Sequence, residues 1–300
     1  MITLKQICDV LNIPTHGDPS MEIRYAMTID DVNFDKYSIG WCSDANIEKL
    51  GQLKNGNVLV SKDAKVTIDF DTQDINLIKV DNPRGAFAAV LRDLFVQKVV
   101  FGKVEHSTYI HESVAIDLNR VNLGCNVVIE ENCIIGNRVS IGHNSVIKSH
   151  TIIADDVTIG SNCSIGGVGF GYEQSQSGAY ELMPHIGNVK LEASVEIGNN
   201  VCIDRAVMGS THLEQNVKVD NLVHIAHGVH IGKNSLIIAN SMLAGSVQIG
   251  ENVWVAPSSS IKQKTIIGDN ALIGMGTVVL RNVNKFEVVV GVPAKAIQKK

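Results

Sequence analysis

At 300 residues, 45% of them hydrophobic and 19% charged, the chain holds enough apolar material for one large or two medium folded units and is neither disordered nor fibrous. A formal charge of −5 leaves no basic surplus to neutralise a run of phosphates, which sets nucleic acid aside as a partner. The N-terminus has no signal-like apolar core and no window approaches about 18 uninterrupted apolar residues, so the expected location is the cytoplasm, with no transmembrane segment.

Taken in chain order, residues 1–104 read as a small α/β domain. "LKQICDVLN" is amphipathic at helical spacing, "EIRYAMTI", "GNVLVS" and "INLIKV" are expected strands, and Pro83 opens a helix in "NPRGAFAAVLRDLF". The seam near "GKVEHSTYIHESVAI" leads into a different pattern. The six cysteines, Cys8, Cys42, Cys125, Cys133, Cys163 and Cys202, form no CxxC pair and no zinc-like spacing, so they are expected as small core residues, in neither disulfides nor a metal site.

From Leu123 an aliphatic residue recurs every sixth position: Leu123, Ile129, Ile135, Ile141, Ile147, Ile153, Ile159 and Ile165. Four residues after each comes a small or β-branched one, such as Val127, Cys133, Val139, Ser145 and Thr151, and Gly often follows the aliphatic directly, as at Gly136, Gly142 and Gly160. The phase returns at Leu191, Ile197 and Ile203, then runs unbroken from Leu213 to Val279. Two inward positions in six fit neither a helix nor an alternating strand. Each six-residue unit makes a short strand and a corner, and three units close a coil whose aliphatics stack in columns over their neighbours. Residues 105–284 are therefore expected as a parallel β-helix, followed by a C-terminal tail at 285–300.

Two breaks interrupt the coils. The longer, "GGVGFGYEQSQSGAYELMPHIGNV" at 166–189, lacks the period and reads as an extruded loop; the shorter, around Met208 to His212, shifts the register by four.

His224, His227 and His230 are evenly spaced, but residues three apart fall on different parts of a triangular coil, so they are not expected to share a metal. His227 stands before Gly228 at an outward position, and Gly245 lies 18 residues on, one coil later. An imidazole suits general-base work, and an exposed glycine N–H suits a developing oxyanion. Together they form the minimum set for acyl transfer from a thioester. No G-x-S-x-G elbow is present, so direct attack by the acceptor is expected, without an acyl-enzyme.

The segments "GVGFGY", "VEIGNNVCIDRAV", "VDNLVHIAHGVHIG" and "LAGSVQIG", preceded by "NPRGAFAAVLRDLF", resemble the UDP-3-O-acylglucosamine N-acyltransferases of lipid A synthesis, the LpxD family. The resemblance implies a left-handed β-helix and a homotrimer with active sites in clefts between neighbours, the N-terminal domain holding the uracil. Carried over by motif, His227 is the catalytic base, Gly245 the oxyanion glycine, and Asp220 with Asn221 the acidic and amide pair upstream. The chain departs from the family pattern in three places. The uridine motif, roughly F-L-S-N-P-K-Y, is "WCSDANI" here: Trp41 can stack on a base, Asp44 replaces an amide and Ile47 a tyrosine. Lys264 stands where the family has a second histidine, to hold a phosphate or to be plain surface. The chain stops soon after "VVVGVPAKAIQKK", leaving no room for the family's C-terminal helix.

"IGMGTVVL" and "GVPAK" also resemble coenzyme-A-dependent nucleotide-sugar acyltransferases. The expected donor is thus an acyl-carrier-protein or acyl-CoA thioester, with no permanently bound cofactor. The expected function is N-acyl transfer to a nucleotide-activated amino sugar. The alternatives are a CoA-dependent enzyme acting on a UDP- or dTDP-amino sugar of O-antigen or another surface glycan, and a non-catalytic hexapeptide scaffold.

Overall fold

A computed structural model describes residues 2–66 and 74–297, and in it the chain divides into two compact units that meet in sequence at Val99 and Val100.

In the first unit the helix Leu4–Leu11 starts from a capping box in which Thr3 and Gln6 satisfy each other's backbone N–H groups. A second helix, Pro83–Val90, begins with Pro in its first turn and with the Asn82 side chain accepting from Gly85 N–H. Four parallel strands, Tyr25–Ala26, Ser38–Trp41, Asn55–Ser61 and Asp74–Val80, pair in that order. Alternation divides their side chains: Leu59 packs with Leu4, Ile7 and Val90, while Val58 and Val60 pack with Phe34 and Leu50. The expected single strand in "EIRYAMTI" is two short ones. Glu22–Ile23 pairs antiparallel with Ile2–Thr3 in a separate ribbon, and only Tyr25–Ala26 joins the sheet.

The second unit is a parallel β-helix. Pairing such as Val128 with Val146, or Ile134 with Ile152, repeats every 18 residues and builds three sheets of nine, seven and eleven strands. Every in-phase aliphatic from Leu123 to Ile165 and from Leu213 to Val279 is buried, and Ser145 and Thr151 keep the second column by donating their hydroxyls to Gly160 and Lys148 carbonyls. Close stacking explains the glycines after the aliphatics, since a Cβ on Gly142 would lie 2.6 Å from the Gly160 carbonyl carbon. Most corners carry one left-handed residue, commonly Asn, and the amides of Asn126, Asn144 and Asn162 hydrogen-bond to one another from coil to coil. Val288–Val290 extend the third sheet and Lys295–Ile297 turn back antiparallel upon them. Positions 298–300 of the expected tail lie outside the described residues.

Both breaks fall at the same edge of the prism, where the first sheet hands over to the second. The long insertion joins Ser164–Gly167 to Asn188–Leu191, and the short one joins Cys202–Asp204 to Ser210–Leu213. The long loop carries its own hairpin, Tyr172–Gln174 against Tyr180–Leu182. Its return limb lies on the short insertion, with Ile186 N–H donating to the Val207 carbonyl and Gly187 N–H to that of Ala206.

Candidate active site

The same edge gathers the polar groups of interest. His227 follows the first-sheet strand His224–Ile225, Gly245 follows Met242–Leu243 one coil on, and Lys264 follows Ser260–Ile261 one coil further. The His227 and Gly245 corners are tied by Ser246 N–H donating to the His227 carbonyl, and Lys264 N–H donates in turn to the Gly245 carbonyl. His227 is oriented from below. Thr211 Oγ1 accepts from Gly228 N–H at 2.8 Å and donates to the Asp204 carbonyl at 2.7 Å, fixing the left-handed Gly228 beside it.

His227 Nε2 points at the Gly245 backbone so closely that a Cβ on Gly245 would lie 2.6 Å from it. Gly245 N–H has no acceptor among the described residues. Burial pulls the His227 pKa below its ordinary value, the His185 imidazole pulls the same way, and the Asp204 carboxylate opposes both. The imidazole is therefore neutral near neutral pH, with a lone pair free to take a proton.

Two neighbours come from the breaks in the repeat. His185, on the return limb of the long loop, is buried and meets His227 edge to face with ring centroids 5.2 Å apart. Gly169 of the "GVGFGY" segment fits between them: a Cβ there would lie 2.7 Å from His185 Nε2 and 2.9 Å from His227 Cβ. Asp204 ends the first-sheet strand one coil below, its Oδ2 lying 3.7 Å from His224 Nε2. Burial pushes the Asp204 pKa up, against the pull of His224, His227 and His185. Neither His185 nor Asp204 was marked by the repeat pattern. The signal for both was that they sit inside or next to a break.

The other two histidines of the evenly spaced set take different sheets. His224 faces out from the first sheet, and His230, on the second, is held by Glu214 Oε1 at 3.0 Å. No cluster of three metal-ligating side chains occurs among the described residues.

Asp220 and Asn221 are placed elsewhere. They stand between the third-sheet strand Lys218–Val219 and His224, at a different edge from His227, so one chain does not bring them to it. There Asp220 accepts from Asn221 and Ala239 N–H groups, and Asn221 Oδ1 accepts from Asn199. Their hydrogen bonds hold coil to coil, the work any corner amide does in this fold.

In the first unit Trp41 and Asp44 do come together. With Ser43, Ser61, Asp81 and Arg84 they line a cavity of about 280 Å³ at the carboxyl ends of the parallel strands, beside the start of the Pro83–Val90 helix. No helix among the described residues is long and apolar enough to cross a membrane.

Comparison with known proteins agrees with this architecture. Two family models match, one described as bacterial transferase hexapeptide (six repeats) over residues 246–281, the other as hexapeptide repeat of succinyl-transferase over residues 228–256. UDP-3-O-acylglucosamine N-acyltransferase of Campylobacter lari is 40% identical over 256 residues, covering 81% of this chain and 77% of its own. The enzyme of the same name from Methylacidiphilum infernorum is 37% identical over 269 residues, covering 81% and 73%. Among solved structures, LpxA of Acinetobacter baumannii shares the fold, with a TM-score of 0.58 over 64% of this chain and 72% of its own at 22% identity.

Proposed function

Because the chain belongs to the UDP-3-O-acylglucosamine N-acyltransferase family, we propose that it moves an acyl group from a thioester to the amine of a UDP-linked amino sugar, the N-acylation step of lipid A synthesis. The observation that carries this reading is the lone pair of a neutral, half-buried His227 packed against the Gly245 backbone at the one edge where the repeat is interrupted.

In this mechanism the amine attacks the thioester carbonyl and His227 Nε2 takes the proton that the nitrogen sheds. Gly245 N–H supports the charge on the tetrahedral oxygen, a donor fixed before the reaction begins. The imidazolium then returns the proton to the departing thiolate. Lys264, exposed one coil beyond Gly245, offers its ammonium to a phosphate of donor or acceptor.

The active form is a cytoplasmic homotrimer. A lone β-helix presents this edge to open solvent, and the extruded loop leaves Phe170 87% and Ile186 78% exposed, apolar surface that a neighbouring copy covers while walling the cleft. Asp220 and Asn221, on their own edge, reach the chemistry only from such a neighbour. The nucleotide sits in the cavity of Trp41 and Asp44, its base stacked on the indole and its ring N–H donated to the carboxylate.

Mass spectrometry of products from a panel of UDP- and dTDP-amino sugars, each offered with acyl-carrier-protein and coenzyme A thioesters, tests the reading. N-acylated UDP-sugar from the carrier-protein donor is the expected product. Turnover confined to dTDP-sugars or to acyl-CoA replaces it with the surface-glycan alternative, and a panel without any product leaves a binding scaffold.

A further inference from the structure

Asp204 is a carboxylate without donors. Its side chain is 15% exposed, no group among the described residues donates a hydrogen bond to its carboxylate oxygens, and the His224 imidazole Nε2 stands off at 3.7 Å. Burying a carboxylate in this way costs free energy that some donor must return. The neighbouring loop adds a second group in the same condition. His185 Nδ1 bonds the Met183 carbonyl at 2.7 Å, and since a carbonyl only accepts, Nδ1 carries a proton, so that in the neutral ring Nε2 is the nitrogen with the lone pair. That Nε2 is buried with no hydrogen-bond partner among the described residues.

His227 in its neutral form adds another lone pair. The edge therefore assembles acceptors and one negative charge: two carboxylate oxygens and two imidazole nitrogens. The complementary ligand group carries only donors and a positive charge. A primary ammonium, with three N–H donors and no lone pair, is that group; a hydroxyl offers one donor and no charge.

We propose that Asp204, with the His185 lone pair beside it, receives the acceptor's amino group as an ammonium and so selects a nitrogen over an oxygen acceptor at this edge. This rests on the reading of the chain as an N-acyltransferase. It also accounts for a proton. An ammonium that becomes an amide loses two protons, whereas a hydroxyl that becomes an ester loses one. The first passes from R–NH3+ to the Asp204 carboxylate, whose burial raises its proton affinity. The freed lone pair forms the C–N bond as the C=O pair moves to oxygen. His227 takes the second proton and returns it to sulfur as the C–S bond breaks. Asp204 gives its proton to solvent when product leaves, so the balance is one amide, one thiol and one released proton.

The test compares binding of UDP-glucosamine and UDP-glucose, which differ by an ammonium against a hydroxyl, to the full chain by calorimetric titration. The wild-type protein should prefer the amino sugar by about 10- to 100-fold, the scale of a charge-assisted hydrogen bond. Asp204→Asn should reduce that preference to less than about threefold with UDP-glucose affinity unchanged, and His185→Phe should reduce it in part. An undiminished preference in Asp204→Asn overturns the inference, as does a wild-type protein that does not discriminate. Should Asp204→Asn fail to fold, His185→Phe decides alone, and an unchanged preference there overturns it. The two readings fail separately. Wild-type N-acylation without an Asp204-dependent preference leaves the proposed function standing, and an Asp204-dependent preference without turnover leaves only the inference.

Discussion

The imidazole of His227 occupies the space that a side chain at Gly245 would need: a Cβ there would lie 2.6 Å from Nε2 and 2.7 Å from Cε1. Gly245→Ala must therefore push the ring aside, and it moves the proposed base and the proposed oxyanion donor together. The expected result is a fall in kcat of about 10- to 1,000-fold with little change in KM for the sugar, read by steady-state kinetics. Activity at the wild-type level would mean that the contact between coils has no part in the chemistry.

His227→Ala removes the proposed base and leaves the interior columns untouched, because the side chain stands at an outward corner. Turnover should fall by about two to four orders of magnitude while thermal unfolding stays where it was. His230→Ala, whose partner Glu214 lies on the second sheet, should cost far less. A purified His227→Ala protein with near-normal turnover refutes the assignment.

The pH profile follows from the surroundings of His227. Only the neutral imidazole accepts a proton, and burial, reinforced by His185, holds its pKa below the ordinary value of about 6.5. The acidic limb of kcat/KM should therefore lie below that value, activity persisting to lower pH than an exposed histidine permits. Asp204 pulls the other way, so Asp204→Asn should carry the limb lower still, and His185→Phe should bring it back up. A limb that ignores both substitutions belongs to a different group.

Arg205 anchors the root of the extruded loop, its guanidinium donating to the carbonyls of Gly166 and Ser149 and to Ser149 Oγ. Arg205→Ala should destabilise the loop by about 1 to 3 kcal/mol, the cost of leaving such acceptors without a charged donor. Hydrogen exchange should quicken across 166–187 and remain slow in the coils from Leu213 onward. Uniform protection in both proteins would assign the loop's order to its hairpin instead.

Trp41→Ala should weaken nucleotide binding by about 1 to 3 kcal/mol, the range for a base stacked on an aromatic ring. Calorimetric titration with UDP and dTDP is the measurement, since both bases present the ring N–H that Asp44 can accept. Equal affinity in the two proteins moves the nucleotide elsewhere.

The repeat was open to reading because two residues in six must fill the interior whatever the corners do; Leu123 to Ile165 announce the coil through burial alone. The juxtaposition of His227 and Gly245 was legible for a related reason, since the two are one coil apart and coil length is set by the repeat. His185 and Asp204 were not. The position of His185 depends on how an aperiodic loop folds back, and no local pattern encodes that path. Asp220 and Asn221 show the limit of sequence distance: a motif close to His227 along the chain stands one edge away in space. The strand Ser38–Trp41 was missed because four residues with a central glycine carry too little pattern to register.

The coil that links Ile153 to Leu191 takes 38 residues where the coil before it takes 18 and the coil after it 22, yet the strands pair as though nothing had been added. The three short strands of each coil keep their pairing with the coils above and below whatever the length of the corner between them, so residues added at a corner leave the register of the stack unchanged. Segment 168–187 is in that sense an exchangeable cassette on a fixed chassis. Replacing it with the corresponding segment of another hexapeptide protein should alter which acceptor is taken without asking the scaffold to refold.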